Sequence, residues 1–287
     1  MAAKIPNDIY QFSILSAYKA GLTQAGPPVR ALQGYGSDGI AYLPRNGGEL
    51  LFLDSTAYFI PPNQGHQASR AASPTSSPPN GSALPSPENE NIMEHAKGEI
   101  LLPFVMVTKF VPEFSLNISG DTEMDSLMDL LECEGPVAGG RNSFMPFRLR
   151  GSFSFISLQD VGPSGSSRRS SGATSSSPSA GASLGNENET ERKLENVKGT
   201  IFGFHGPKWA EGISPTGFHC SFLSERDEEG HARGGRVRDF RADGAVELTW
   251  AKTGRFHLGL PTDGKFEELD LGGGKGDANM LSPSSSH

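Results

Sequence analysis

A chain of 287 residues with a net charge of −8 lacks the clustered Lys and Arg that nucleic acid or an anionic membrane rewards, and its two cysteines, Cys133 and Cys220, exclude a disulfide framework and a Cys-x-x-Cys zinc ribbon. Met1 to Tyr10 holds Lys4, Pro6, Asn7 and Asp8 rather than an apolar core of signal-peptide length, and no later stretch is long and apolar enough to span a bilayer. A cytoplasmic protein is therefore expected, with neither nucleic acid nor membrane as partner.

Ser13 to Ala20 reads as a short helix closed by Gly21, since glycine accepts the left-handed backbone that ends many helices. Gly48 to Ile60 (GELLFLDSTAYFI) and Ile100 to Phe110 (ILLPFVMVTKF) are apolar runs of the kind buried on both faces of a strand. Between them, Pro61 to about Lys97 is rich in Pro, Ser, Asn and Gly and has almost no large apolar residue, which predicts a disordered insert. Thr122 and Asp125 resemble a capping box, and Met124, Leu127, Met128 and Leu131 follow at helical spacing.

Phe147 to Leu158 alternates Phe147, Leu149, Phe153 and Phe155 against Arg148, Arg150, Ser152 and Ser154, the pattern of a half-buried strand. Val161 to about Glu195 repeats the composition of the first insert, and its Arg168-Arg169-Ser170-Ser171 is either a phosphate acceptor or plain solvated chain. Val197 to Phe204 and Gly217 to Ser224 are further strands. Arg236 to Arg241 and Ala245 to Lys252 flank Asp243-Gly244, a hairpin signal. Gly272 to Gly276 is followed by no helix-forming stretch, so it reads as a flexible tail rather than a phosphate cradle. The division drawn from composition is an N-terminal β-rich part, 1–60 with 98–160, a C-terminal β part, 196–271, carrying the site, inserts at 61–97 and 161–195, and a tail at 272–287.

Six segments in one order then stand out: Ile9-Tyr10-Gln11-Phe12-Ser13, Gly47-Gly48-Glu49-Leu50, Pro103 to Thr108, Phe147 to Phe153 (FRLRGSF), Gly199 to Phe204 (GTIFGF) and Gly217 to Ser224 (GFHCSFLS). Together they resemble the α-acetolactate decarboxylase family, over residues 9 to 270 apart from the inserts. The resemblance implies an α+β, β-rich fold of two packed mixed or antiparallel β subdomains with few helices, often a homodimer. It implies a zinc carboxy-lyase that converts 2-acetolactate, a small keto acid, to (R)-acetoin. In that family a His-x-His pair on one strand and a third His in a Gly-Gly-His hold the metal, an acid lies in the Gly-Glu-Leu segment, and an Arg follows the Gly-x-Phe strand.

Carried over residue by residue, the pattern puts the first metal ligand at His219. The second position is Ser221, a poor zinc donor, and the third is Arg236, a permanent cation with no lone pair. Glu229-Gly230-His231, in a loop longer than the family's, offers His231 as a substitute ligand or as a solvated histidine. Glu49 takes the place of the family's acid, and Gln159 that of its arginine, where Gln159 and Ser221 would contact substrate. Arg236 either supplies a fixed positive charge to the reaction or fills an emptied site by pairing with Glu49.

The leading expectation is an acetolactate decarboxylase-like enzyme acting on a 2-hydroxy-3-keto acid. The alternatives are an inactive member kept for binding, or a metal-free decarboxylase or isomerase led by Glu49 and Arg236. His205, His257 and Trp209 read as structural residues.

Overall fold

A computed structural model describes residues 6–23, 26–44, 48–61, 67–70, 100–132, 141–159, 191–228 and 230–271. The first layer is built from β1 (Ile9–Phe12), β2 (Asp38–Tyr42), β3 (Glu49–Leu53), β4 (Thr56–Ile60), β5 (Gln67–Arg70) and β6 (Phe104–Thr108), with helix α1 (Leu15–Lys19) after β1. The second contains β7 (Phe114–Ile118), helix α2 (Met124–Glu132), β8 (Met145–Gln159), β9 (Glu191–Gly206), β10 (Gly217–Ser224), β11 (Ala232–Ala242) and β12 (Val246–Trp250). The chain then returns as β13 (Phe256–Gly259), which pairs in parallel with β1, and ends in α3 (Gly264–Glu267).

Among the described residues the strand order is β13-β1-β6-β2-β3-β4-β5-β11-β10-β9-β8-β12-β7, and β11 also pairs with β8. That extra ladder closes β8, β9, β10 and β11 into a ring, which leaves those strands no free edge to template aggregation. Phe147, Leu149, Phe153, Ile156, Ile201, Phe222 and Phe240 of the ring form one cluster with Trp250 of β12 and with Leu127 and Leu131 of α2. The helix expected after Thr122 starts at Met124 and buries Leu127 and Leu131, as the spacing predicts. A second cluster lies between the layers and unites Ile40, Tyr42, Ile60 and Phe104 with Phe202, Phe204 and Leu223. A third covers the outer face of the first layer through Leu32, Leu50, Phe52 and Val105.

This is the β-rich α+β architecture expected, with four local departures. The run Gly48 to Ile60 is a hairpin rather than one segment, because Asp54 (φ 50°) and Ser55 (φ 63°) both take the left-handed conformation of a tight turn. Gln67–Arg70, inside the first expected insert, is a strand, since its backbone pairs with β4 and β11 whatever its side chains. The second insert does not reach Glu195, because Glu191 to Glu195 extend β9 along β8 and bury Leu194. Asp243-Gly244 is a turn, but β11 and β12 do not form a hairpin; each pairs with a different half of the long strand β8.

β7, α2 and β8 precede residue 160 yet belong to the second layer, and β13 follows it yet joins the first. The rest of both inserts, the Arg168 to Ser171 stretch, Gly47, Cys133 and the 272–287 tail lie outside the described residues. No helix among the described residues is long and apolar enough to cross a membrane.

Candidate functional site

Register brings the site together from both layers. Across β2, β3 and their neighbours one row reads Phe104, Tyr42, Glu49 and Ile60, directly opposed residues that share a face. Tyr42, Phe104 and Ile60 sit in the interlayer cluster, so this row faces the second layer. There a second row reads Phe202, Ser221, Arg236 and Gln159, and His219 lies two residues before Ser221, opposite Phe204. Positions i and i+2 of a strand share a face, so His219 and Ser221 look the same way.

The layers meet at a hydrogen bond between the Tyr42 hydroxyl and His219 Nε2, 3.0 Å long and buried. Helix α1 adds Tyr18, whose ring stacks on Tyr42 with centroids 4.9 Å apart. The cap that ends α1 fixes that placement: Gly21, at φ 98°, donates to the Tyr18 carbonyl while Leu22 donates to that of Ala17. Two glycines set how closely the strands approach. A Cβ on Gly203 of β9 would lie 2.2 Å from the His219 carbonyl oxygen, and one on Gly234 of β11 would lie 2.5 Å from that of Phe222.

Glu49, His219 and Ser221 are 2 %, 5 % and 2 % exposed, so charge here is costly. Burial pushes the Glu49 carboxyl up, the Arg236 guanidinium pulls it part of the way back, and it settles at about 7. Burial first, then Arg236 and Lys19, depress His219 well below the ordinary histidine value and keep the imidazole neutral. Burial, aided by Glu49 and Tyr18 and opposed by Arg236, raises the Tyr42 phenol. Arg236 acts on Glu49 electrostatically, favouring the charged carboxylate. The site therefore joins a fixed cation, a carboxyl that titrates near neutrality and an uncharged Tyr–His pair.

A family model described as alpha-acetolactate decarboxylase matches residues 80–273. The chain belongs to the α-acetolactate decarboxylase family. The alpha-acetolactate decarboxylase of Methanosarcina mazei is 25 % identical, over 92 % of this chain and 76 % of that protein. The Lactococcus lactis IL1403 protein of the same name is 26 % identical, over 84 % of this chain and 83 % of its own. The crystal structure of the Bacillus subtilis strain 168 protein superposes with a TM-score of 0.66 at 22 % identity, over 92 % of this chain and 93 % of that one, and so shares the fold.

Against the family's zinc pattern, the donor set here does not fit. Ser221 and Arg236 oppose each other on β10 and β11, so a neutral hydroxyl and a cation stand beside His219 where the family places two imidazoles. His231 does not join them: it lies five residues nearer the loop than Arg236, roughly 16 Å of strand, with a half-exposed side chain near Asp227. Cys220 faces the ring interior, where burial pushes its thiol up to about 12. Among the described residues no three His, Cys, Asp or Glu side chains converge on one point.

Glu49, His219, Ser221, Arg236 and Gln159 are thus gathered on the interlayer faces, and His231 is not. Arg148 is engaged elsewhere, donating to both carboxylate oxygens of Asp38 at 2.6 and 2.7 Å and to Asp54 at 2.8 Å. Arg150 faces Glu247 across β12. His257 meets Asp8, and Trp209 donates to the Asn142 carbonyl. Tyr42, Tyr18 and Lys19 are the site residues that sequence reading missed. Tyr42 becomes visible only once the β2–β3 register sets it opposite Glu49.

Proposed function

We propose that the chain decarboxylates a small 2-hydroxy-3-keto acid such as 2-acetolactate, releasing carbon dioxide and acetoin. The observation that carries this reading is the burial of Glu49, poised near neutrality, on the interlayer face opposite the one that carries Arg236 and His219, in a member of this family. As the bond from C2 to the carboxylate breaks, its electron pair forms a C2–C3 double bond and negative charge settles on the C3 oxygen. Arg236 opposes that charge among buried groups, where a fixed cation is worth more than in water. Protonated Glu49 then delivers a proton to C2 and is recharged from water, which restores the ketone. No step passes through a metal, since the donor set does not suit one.

The test is acetoin formation from racemic 2-acetolactate by the purified chain. Release above the spontaneous background, lost in Glu49→Gln, supports the reading; background rates alone sink it. Ser221 and Arg236 at the family's ligand positions favour a second reading, a member that binds the keto acid without turning it over. Saturable binding with no acetoin is its signature.

A further inference from the structure

One of the two nitrogens that the His219 imidazole could give to an ion is already engaged. His219 Nε2 meets the Tyr42 hydroxyl at 3.0 Å. Two tautomers are open to this neutral pair. If Tyr42 donates to Nε2, Nδ1 carries the proton and the ring has no lone pair left for a cation. If Nε2 donates to Tyr42, Nδ1 is free, but the next two positions are a serine hydroxyl and a guanidinium that repels any divalent ion. Either way the three protein ligands of a zinc site are not assembled.

Tyr42 is built to hold this post. Its ring belongs to a three-ring cluster, stacked on Tyr18 at 4.9 Å and on Phe104 at 5.4 Å while those two lie 6.3 Å apart, and it meets the imidazole edge-on with centroids 6.4 Å apart. These contacts hold the ring where its hydroxyl reaches His219 Nε2. Arg236 lies across the ladder from Ser221, and its charge acts on His219, Glu49 and Tyr42. A guanidinium offers a planar fork of donors that suits a carboxylate, and the neutral Tyr–His pair can hydrogen-bond an adjacent hydroxyl without adding charge.

We infer that Tyr42 and Arg236 together take the place of the metal at His219, leaving a metal-free site for small 2-hydroxycarboxylate anions in which Tyr42 is the positioning residue. This deepens the keto-acid reading above and rests on it for the class of ligand. It stands apart from that reading in its test, which needs no turnover.

The probe is 2-hydroxy-2-methylpropanoate, which has the hydroxyl and carboxylate but no ketone to accept electrons. The full chain, grown zinc-replete, is assayed for bound zinc. It is then stripped with chelator and titrated calorimetrically with the probe, with and without added zinc. The inference expects substoichiometric zinc, equal probe affinity in both titrations, and binding weakened roughly 10- to 100-fold by Arg236→Met.

Tyr42→Phe keeps the stacked ring and should fold. The inference expects it to weaken the probe and to shift the His219 imidazole nitrogen signals in NMR, which a merely structural tyrosine would leave in place. One equivalent of zinc abolished by His219→Ala, probe binding only after zinc is added, or unchanged His219 signals in Tyr42→Phe would each overturn it. Metal-free probe binding without acetoin production removes the decarboxylase reading alone; zinc-dependent acetoin production removes this inference alone.

Discussion

Replacing Glu49 with Gln removes one titration while nearly preserving shape, and the structure says where in pH the difference must appear. The carboxyl moves from 4.5 in an unfolded chain to about 7 in the folded one, chiefly by burial. That interval corresponds to ~3 kcal/mol. Below about pH 4.5 the side chain is protonated in both states and costs nothing. As pH rises, the unfolded chain releases its proton while the folded chain holds on, so stability falls through the window and levels off above about 7.

The groups that act on Glu49 do not blur this window. Arg236 stays charged, and Tyr18 and Tyr42 stay neutral because burial raises both phenols, Tyr18 to about 12. His219, depressed in the folded state, contributes stability that is lost as pH falls below its ordinary value; it does so in both proteins and cancels from the difference. Urea unfolding of wild type and Glu49→Gln at steps from about pH 4.5 to about pH 8 should therefore show the variant gaining ~3 kcal/mol on wild type as pH rises. A difference that stays flat across this range would refute the buried, shifted carboxyl.

Arg148→Ala strands Asp38, which is 5 % exposed and owes two hydrogen bonds to that arginine; thermal unfolding should register a loss of about 3–5 kcal/mol, since one partner of a buried pair is removed. Gly203→Ala thrusts a methyl group to 2.2 Å from the His219 carbonyl, so β10 must shift away from β9; the expected outcome is a lower melting temperature together with weaker probe binding, read by calorimetry on the folded fraction. Ser221→His combined with Arg236→His replaces a hydroxyl and a cation by two opposed imidazoles beside His219. Zinc bound by the doubly substituted chain and not by wild type, measured by metal analysis, is the expected result.

The strands of the ring were legible because their side chains alternate or run apolar, and β10 was read to its last residue. The interlayer face was half legible. His219 and Glu49 sit in segments whose order resembles a known pattern, so their positions carried a signal. Tyr42 did not: it ends β2, and no spacing in a single chain reveals which residue will oppose Glu49 across the β2–β3 ladder. The Asp243-Gly244 turn failed as a hairpin signal for a related reason. Turn chemistry is local, whereas β8, fifteen residues long, reaches both flanking strands from elsewhere in the sequence and takes their pairing edges. Polar strands such as β5 are invisible to composition, because the backbone alone makes their bonds.

The parallel ladder of β13 on β1 bears on how the chain comes to be folded as it is made. Ile9 meets Phe256, so β1 has to wait for a strand made far later in the chain before its outer edge is covered. Until β13 has emerged that edge stays open, and closing a contact over so long a separation is slow. Factors that shield exposed strands should therefore matter most to this protein in the interval between the synthesis of β1 and that of β13.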